Sequence, residues 1–230
     1  METQYLSGFG NHFSSEARPN TLPQEQNSPQ VAPKGLYPEQ LSGTAFTAPR
    51  AHNLYAWLYR LRPSVMHKAF HPLKELTDKT FFKPKAVNPN QMRWNPLPAV
   101  NAKQNFIEGI RTVCGTGNSH EQRGIHIHLY SFSEPMGKKY FMSADGDFLF
   151  VPQTGTMEVK TELGILTAEP GEILVVPRGM KFQVNPLQGS TCSGYIGENF
   201  GAPYQLPELG PIGANGLAHR RHFQVPVAAF

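Results

Sequence analysis

Cysteine is nearly absent from this chain of 230 residues, which has only Cys114 and Cys192. Two thiols are too few for a disulfide framework, and they lack the CxxC spacing of a zinc site. Free thiols in a reducing compartment are therefore expected. Charge is scarce as well: charged residues make up 17% of the chain, against about 25% in an average soluble domain. The net charge is only +4, and the densest basic stretches are the pairs Lys138-Lys139 and Arg220-Arg221. Without a basic run there is no footprint for nucleic acid, and none is expected as a partner. Long apolar runs are missing too. Phe148-Leu149-Phe150-Val151 and Ile173-Leu174-Val175-Val176 fall far short of the roughly 20 residues that span a bilayer, so no membrane partner is expected. The first residues, Met1 to Leu6, carry no basic segment followed by an apolar one, the mark of a secretory signal. A cytoplasmic location follows as the expectation. Common catalytic signatures are also missing: GxSxG, the P-loop, a strand-linked GxGxxG and HExxH. Gly8-Phe9-Gly10 lies in irregular sequence and reads as a turn.

What the chain has is glycine and proline, 21 of each. Both weaken helix interiors, which excludes a helical bundle or coiled coil. Apolar residues at 39% and aromatics at 11% are enough to fill a sizeable core. Residues 1–53 carry a series of prolines from Pro19 to Pro49 and read as an extended arm. Tyr5, Leu6, Phe9, Phe13, Leu36, Tyr37, Leu41 and Phe46 would anchor that arm to a body. Residues 54–61 read as an aromatic strand. Residues 68–98 are proline-rich and irregular. Residues 105–113 read as a strand and 115–124 as a loop.

From residue 125 onward short strands recur between Gly and Pro turns. They are predicted at 125–130, 139–142, 147–152, 156–161, 163–167, 172–176 and 180–184, the fifth-to-last of these after a hairpin signal at Asp145-Gly146. Such spacing predicts an antiparallel sandwich or barrel. Gly171, Pro177 and Gly179 fit a turn pattern of the cupins, and Asp147 to Val151 followed by Gly155 fits another. The segment from Tyr140 to Val184 thus resembles a cupin. Metal-binding cupins place two His and a carboxylate on the first pattern and a His on the second. Here those positions hold Tyr140, Met142, Asp147 and Phe182, so the barrel is expected to be structural and Asp147 a turn residue.

A rival metal reading rests on His126 and His128. Strand period two puts both imidazoles on one face, and Glu134 follows. Structural or surface histidines remain the preferred reading. The other histidines (His12, His52, His67, His71, His120, His219 and His222) are scattered. Cys114 with a histidine elsewhere could form a nucleophile pair, but nothing in the sequence aims the two at each other, and a buried inert thiol is the preferred reading.

Longer strings then carry a resemblance along the whole chain. They include Tyr5-Leu6-Ser7-Gly8-Phe9-Gly10-Asn11, Gln26-Asn27-Ser28-Pro29-Gln30-Val31, Leu36-Tyr37-Pro38-Glu39-Gln40-Leu41-Ser42-Gly43-Thr44 and Trp57-Leu58-Tyr59-Arg60. Gln91-Met92-Arg93-Trp94, Ser143-Ala144-Asp145-Gly146-Asp147-Phe148-Leu149 and Glu208-Leu209-Gly210-Pro211-Ile212-Gly213-Ala214-Asn215-Gly216-Leu217-Ala218 complete them. With these the chain resembles the N-terminal half of the homogentisate 1,2-dioxygenase family. The resemblance implies ring opening of homogentisate by oxygen to maleylacetoacetate, in tyrosine and phenylalanine breakdown. It also implies Fe(II) held by two His and one Glu, and assembly as hexamers. In the family those ligands lie in the second half, beyond the matching strings. Hence Fe(II) is not expected to bind this chain, and no catalytic, cofactor-binding or metal residue is assigned.

The expected fold is mainly β: an antiparallel cupin-like jelly-roll barrel or sandwich with a long irregular N-terminal arm. The expected division is an arm over 1–53, packed on a sandwich over 54–230 whose degenerate cupin core spans about 125–200. The chain is expected to stop before the catalytic cupin and to be inactive by itself. Expected partners are the C-terminal catalytic half, further copies of the chain, and homogentisate with oxygen in the complete enzyme. The alternative is a non-catalytic module binding a small ligand in a mouth lined by Tyr140, Phe148, Phe150 and Phe182. A self-contained metal enzyme using His126 and His128 ranks last.

Overall fold

Apolar residues at every second position need two facing sheets to bury them, and the strands of this chain divide in that way. The computed structural model describes residues 3–8, 12–24, 31–70, 90, 91, 93, 103–205 and 219–229. In chain order the elements are β1 (Tyr5–Ser7), β2 (Tyr37–Ser42), β3 (Tyr55–Arg60), a short helix α1 (Phe106–Gly109), β4 (Ile110–Asn118) and β5 (Arg123–Phe132). There follow β6 (Asp147–Thr154), β7 (Met157–Thr161), β8 (Gly164–Ala168), β9 (Leu174–Val176), β10 (Phe182–Pro186), β11 (Cys192–Asn199) and β12 (Gln224–Pro226). One sheet has five strands in the order β4-β5-β11-β6-β9, and the other has three in the order β10-β7-β8. Two-stranded ribbons, β2-β3 and β1-β12, complete the described structure. All pairings are antiparallel. The molecule is thus mainly β, a cupin-like jelly-roll sandwich, as expected.

The inner faces meet in an aromatic core. Phe106, Phe132, Phe150, Phe182, Met157, Val159, Val184 and Ile196 are almost fully buried. Phe150 meets Phe182 at 6.0 Å and 90°, and Phe106 meets Phe132 at 5.7 Å and 87°. Edge-to-face pairs set the positive ring edge against the negative face, which stabilises each pair beyond its buried area. Gly194 makes room for this core: a Cβ there would lie 2.4 Å from the Val151 carbonyl oxygen and 2.5 Å from the Tyr130 hydroxyl.

Several local expectations need correction. Residues 106–109, expected as strand, form a helical turn because Asn105 and Glu108 make a capping box. The Asn105 side chain accepts from the N–H groups of Ile107 and Glu108, and Glu108 accepts from the Asn105 N–H. Residues 115–124, expected as loop, are mostly hairpin: β4 runs to Asn118 and pairs with Arg123. Its glycines are structural, since Gly124 has φ +105° and a Cβ on it would sit 2.0 Å from the Thr116 carbonyl oxygen. The strand expected at 139–142 reduces to one bridge, Phe141 to Phe182. The bend ahead of β6 is at Ala144-Asp145, and Asp145-Gly146 is not a hairpin turn. The strand expected at 172–176 shortens to β9, Leu174–Val176, with Ile173 67% and Val175 39% exposed while Leu174 and Val176 face the core.

Several of the arm's apolar anchors make contacts. The Tyr5 hydroxyl accepts from the Thr167 N–H at 2.8 Å, tying β1 to β8, and Leu41 packs against the core. Phe46 does not, being 85% exposed. Phe9, His71 and the strings at 25–30 and 206–218 lie outside the described residues. Among the described residues no helix is long and apolar enough to cross a membrane.

Candidate functional site

His126 and His128 do lie on one face of β5, the inner one, but they serve different neighbours. His128 is buried. Its Nε2 lies 3.1 Å from Glu198 Oε2 and its Nδ1 lies 2.9 Å from Thr112 Oγ1. A carboxylate only accepts, so Nε2 is the donor of the first bond. Glu198 Oε1 accepts in turn from Ser143 Oγ at 3.0 Å, and Ser143 Oγ accepts from the Gly146 N–H at 3.1 Å. Both imidazole nitrogens and both carboxylate oxygens are engaged. His126 is half-buried, with its ring edge-on to Phe200 at 4.7 Å and 87°. Glu134, the carboxylate suspected from sequence, lies beyond the end of β5, where its backbone N–H bonds to Gln104. Sequence reading missed Glu198, which is 70 residues from His128. Only the pairing of β11 with β5, which sets Glu198 opposite His126, brings it in.

The four cupin ligand positions differ in burial and chemistry. Tyr140 is 62% and Met142 39% exposed, whereas Phe182 is 1% exposed and sits in the core. Asp147 is no simple turn residue. It is 2% exposed, and its Oδ1 accepts from Arg178 N and Nε, both at 2.9 Å. Its Oδ2 accepts from the Tyr204 N–H at 3.2 Å. The other Arg178 nitrogens donate to the carbonyls of Asn199, Phe200 and Gly201. One carboxylate and one guanidinium thus close the end of β11 over the turn after β9. Among the described residues no cluster of three His, Cys, Asp or Glu side chains is placed to hold a metal ion. The residues at these positions therefore do not fit a ferrous ion: two are aromatic, one is a thioether, and the acid is already paired.

The thiols separate by face. Cys114 is half-buried and pairs in register with Ile127, on the sheet face opposite His126 and His128. Cys192 is buried, and burial pushes its thiol above the ordinary value, which suppresses the reactive thiolate. Burial also raises the Tyr130 phenol strongly; its hydroxyl points at the Met157 sulfur. Of the four aromatics expected to line a ligand mouth, Phe148, Phe150 and Phe182 fill the interior and Tyr140 lies outside it.

A cleft of about 130 Å³ lies elsewhere, between the β2-β3 ribbon and the sandwich. Arg60 bridges Glu39 and Glu162, each at 2.8 Å, and Lys181 donates its backbone N–H to Glu162 at 3.0 Å. The Arg60 Nε is buried but not aimed along a hydrogen bond, so its pairing with Glu39 is electrostatic. The hydroxyl of Ser64 hydrogen-bonds Glu39. That bond, with Arg60 as a lesser cause, holds the Glu39 carboxyl below its ordinary range. Two acids facing two bases leave the cleft neutral, so it works as a clamp and carries no excess charge for a ligand.

Comparison with solved structures returns cupins among its matches. A cupin-2 domain protein from Shewanella frigidimarina is 20% identical, over 39% of this chain and 78% of that one, with a TM-score of 0.31. An RmlC-like cupin from Methanocaldococcus jannaschii is 12% identical, over 48% and 93%, with a TM-score of 0.36. A cupin domain from Schizosaccharomyces pombe is 16% identical, over 45% and 66%, with a TM-score of 0.34. Comparison with family models reaches much further along the chain. The family described as homogentisate 1,2-dioxygenase N-terminal matches residues 4–230, and the chain belongs to that family.

Proposed function

We propose that this chain is the N-terminal portion of a homogentisate 1,2-dioxygenase and works there as scaffold. In that reading the complete enzyme opens the ring of homogentisate with oxygen to give maleylacetoacetate, using Fe(II). The iron belongs to a C-terminal half, and the chain by itself is inactive. Further copies of the assembled protein complete the oligomer.

The observation that carries the reading is the family match over residues 4–230. The interior supports it. Phe150 and Phe182 stand in edge-to-face contact where a metal-binding cupin would need room and ligands. The side chains of this half have structural partners: Asp147 with Arg178, His128 with Thr112 and Glu198, and Arg60 with Glu39 and Glu162. What they supply is a rigid sandwich with filled inner faces, on which an iron-bearing neighbour is held in place.

The test joins this chain, in one polypeptide, to the C-terminal portion of a homogentisate 1,2-dioxygenase. Oxygen uptake on adding homogentisate is followed with and without residues 1–230. Uptake that requires these residues is the expected result. Equal uptake without them would remove the scaffold role.

A further inference from the structure

In the order β10-β7-β8, β8 is an edge strand with a ladder partner on one side. An edge N–H must find another acceptor or stay open to water and to other chains. At Thr167 the acceptor is a side chain: its N–H donates to the Tyr5 hydroxyl of β1 at 2.8 Å. The hydroxyls of Thr167 and Thr3 lie 3.1 Å apart, so one residue of β8 receives two side chains of the arm. β1 then pairs with β12, with Tyr5 opposite Pro226, Leu6 opposite Val225 and Ser7 opposite Gln224. Further bonds extend this ribbon at both ends. The Gly8 N–H donates to the Phe223 carbonyl at 2.8 Å, and the Val227 N–H to the Gln4 carbonyl at 3.4 Å. The Ala228 N–H donates to Ser15 Oγ at 2.9 Å. The backbone of 223–228 is thus bonded to residues 4–15. β8 meets the same segment by close packing: a Cβ on Gly164 would lie 2.2 Å from the Val227 carbonyl oxygen. Yet β12 and β8 belong to different sheets.

We propose that β1 is a latch. It hangs on the edge of β8 through Thr3 and Tyr5 and holds residues 223–228 against the sandwich, so that this segment comes free when β1 lets go. Three observations fix that order of dependence. A ribbon with three residues on each strand needs an anchor, since an isolated two-stranded pair is marginal in water. The hydrogen bonds that anchor this ribbon to β8 are made by β1 and the residue pair beside it, at Tyr5 and Thr3. What β8 offers the other strand directly is Gly164, which has no side chain to grip it. The backbone bonds of 223–228 therefore reach the sandwich by way of β1. The latch joins stretches from opposite ends of the sequence, and the five-stranded sheet takes no part in it. Nothing in it depends on the iron-bearing half.

Amide hydrogen exchange of the full chain, read by peptide mass spectrometry, tests the latch. The parent is compared with Tyr5→Phe and with a double variant carrying Thr3→Val and Tyr5→Phe. These changes keep the side-chain shapes and remove only the hydroxyls. In the double variant, peptides covering 164–168 and those covering 223–228 are expected to exchange at least about fivefold faster, both together. Tyr5→Phe alone should show the same pair of changes to a smaller extent, while β6 and β11 exchange as in the parent. Faster exchange at 164–168 with 223–228 unchanged would show that the segment is seated independently of β1 and would overturn the latch. A double variant that matches the parent would overturn it too, as would a segment 223–228 already unprotected in the parent. Equal acceleration of β6 and β11 would make β1 part of the cooperative core and would likewise contradict the inference.

Discussion

Asp147 carries the sharpest consequence at the scale of single residues. Its carboxylate is 2% exposed and takes three hydrogen bonds, two of them from Arg178. Removing one partner of a buried pair strands the other and costs about 3–5 kcal/mol. Asp147→Ala is therefore expected to lower the unfolding free energy by about that amount in urea titration. Asp147→Asn keeps an acceptor for the backbone donors and is expected to cost less. Equal stability of Asp147→Ala and the parent chain would refute the role given to this residue. The sequence placed Asp147 correctly beside β6 but could not weigh it, because Arg178 lies 31 positions on, inside a turn recognised only for its proline and glycine. Glu198 was out of reach for the same reason. A pair of histidines on one strand is visible in the letters, whereas the carboxylate across the ladder depends on a register that the letters do not specify.

Elements were most legible where alternation was uninterrupted. β3, β5, β6, β7 and β8 lie within a few residues of where the apolar pattern put them. The helical turn at 106–109 is too short for any period, and only its capping box, Asn105 and Glu108, announced it. The β4-β5 hairpin was hidden because Gly117 and Gly124 read as loop residues, although they face each other across the ladder. The β2-β3 ribbon yields the prediction at this scale. Arg60 joins it to the sandwich through Glu39 and Glu162. These groups are partly solvated, and pairs of this kind contribute up to about 1 kcal/mol each. Arg60→Met is expected to speed amide hydrogen exchange in residues 55–60 severalfold while β6 and β11 exchange as before. Unchanged exchange in the ribbon would show that the clamp does not hold it. Acid should act at the same place. The Glu39 carboxyl is held below its ordinary range, chiefly by Ser64. Its contribution is thus present above the ordinary carboxylate value and is lost as pH falls from there through the depressed folded value. Ribbon exchange, corrected for the intrinsic pH dependence of amides, should rise in that window. No rise would separate Glu39 from ribbon docking.

Across the whole molecule, the buried polar side chains hold the protein's own fold together. The filled aromatic interior, the paired Asp147 and the satisfied His128 leave the described sandwich without a set of ligands for iron. Membership of the homogentisate 1,2-dioxygenase N-terminal family is consistent with the proposed division, in which this chain is scaffold and another half does the chemistry. The most direct test of this division of labour is iron content. The isolated chain is incubated anaerobically with excess Fe(II), desalted, and its iron measured per polypeptide. The expected value is far below one, and homogentisate should then draw no oxygen. One tightly held iron per chain, with oxygen uptake on adding homogentisate, would contradict the account.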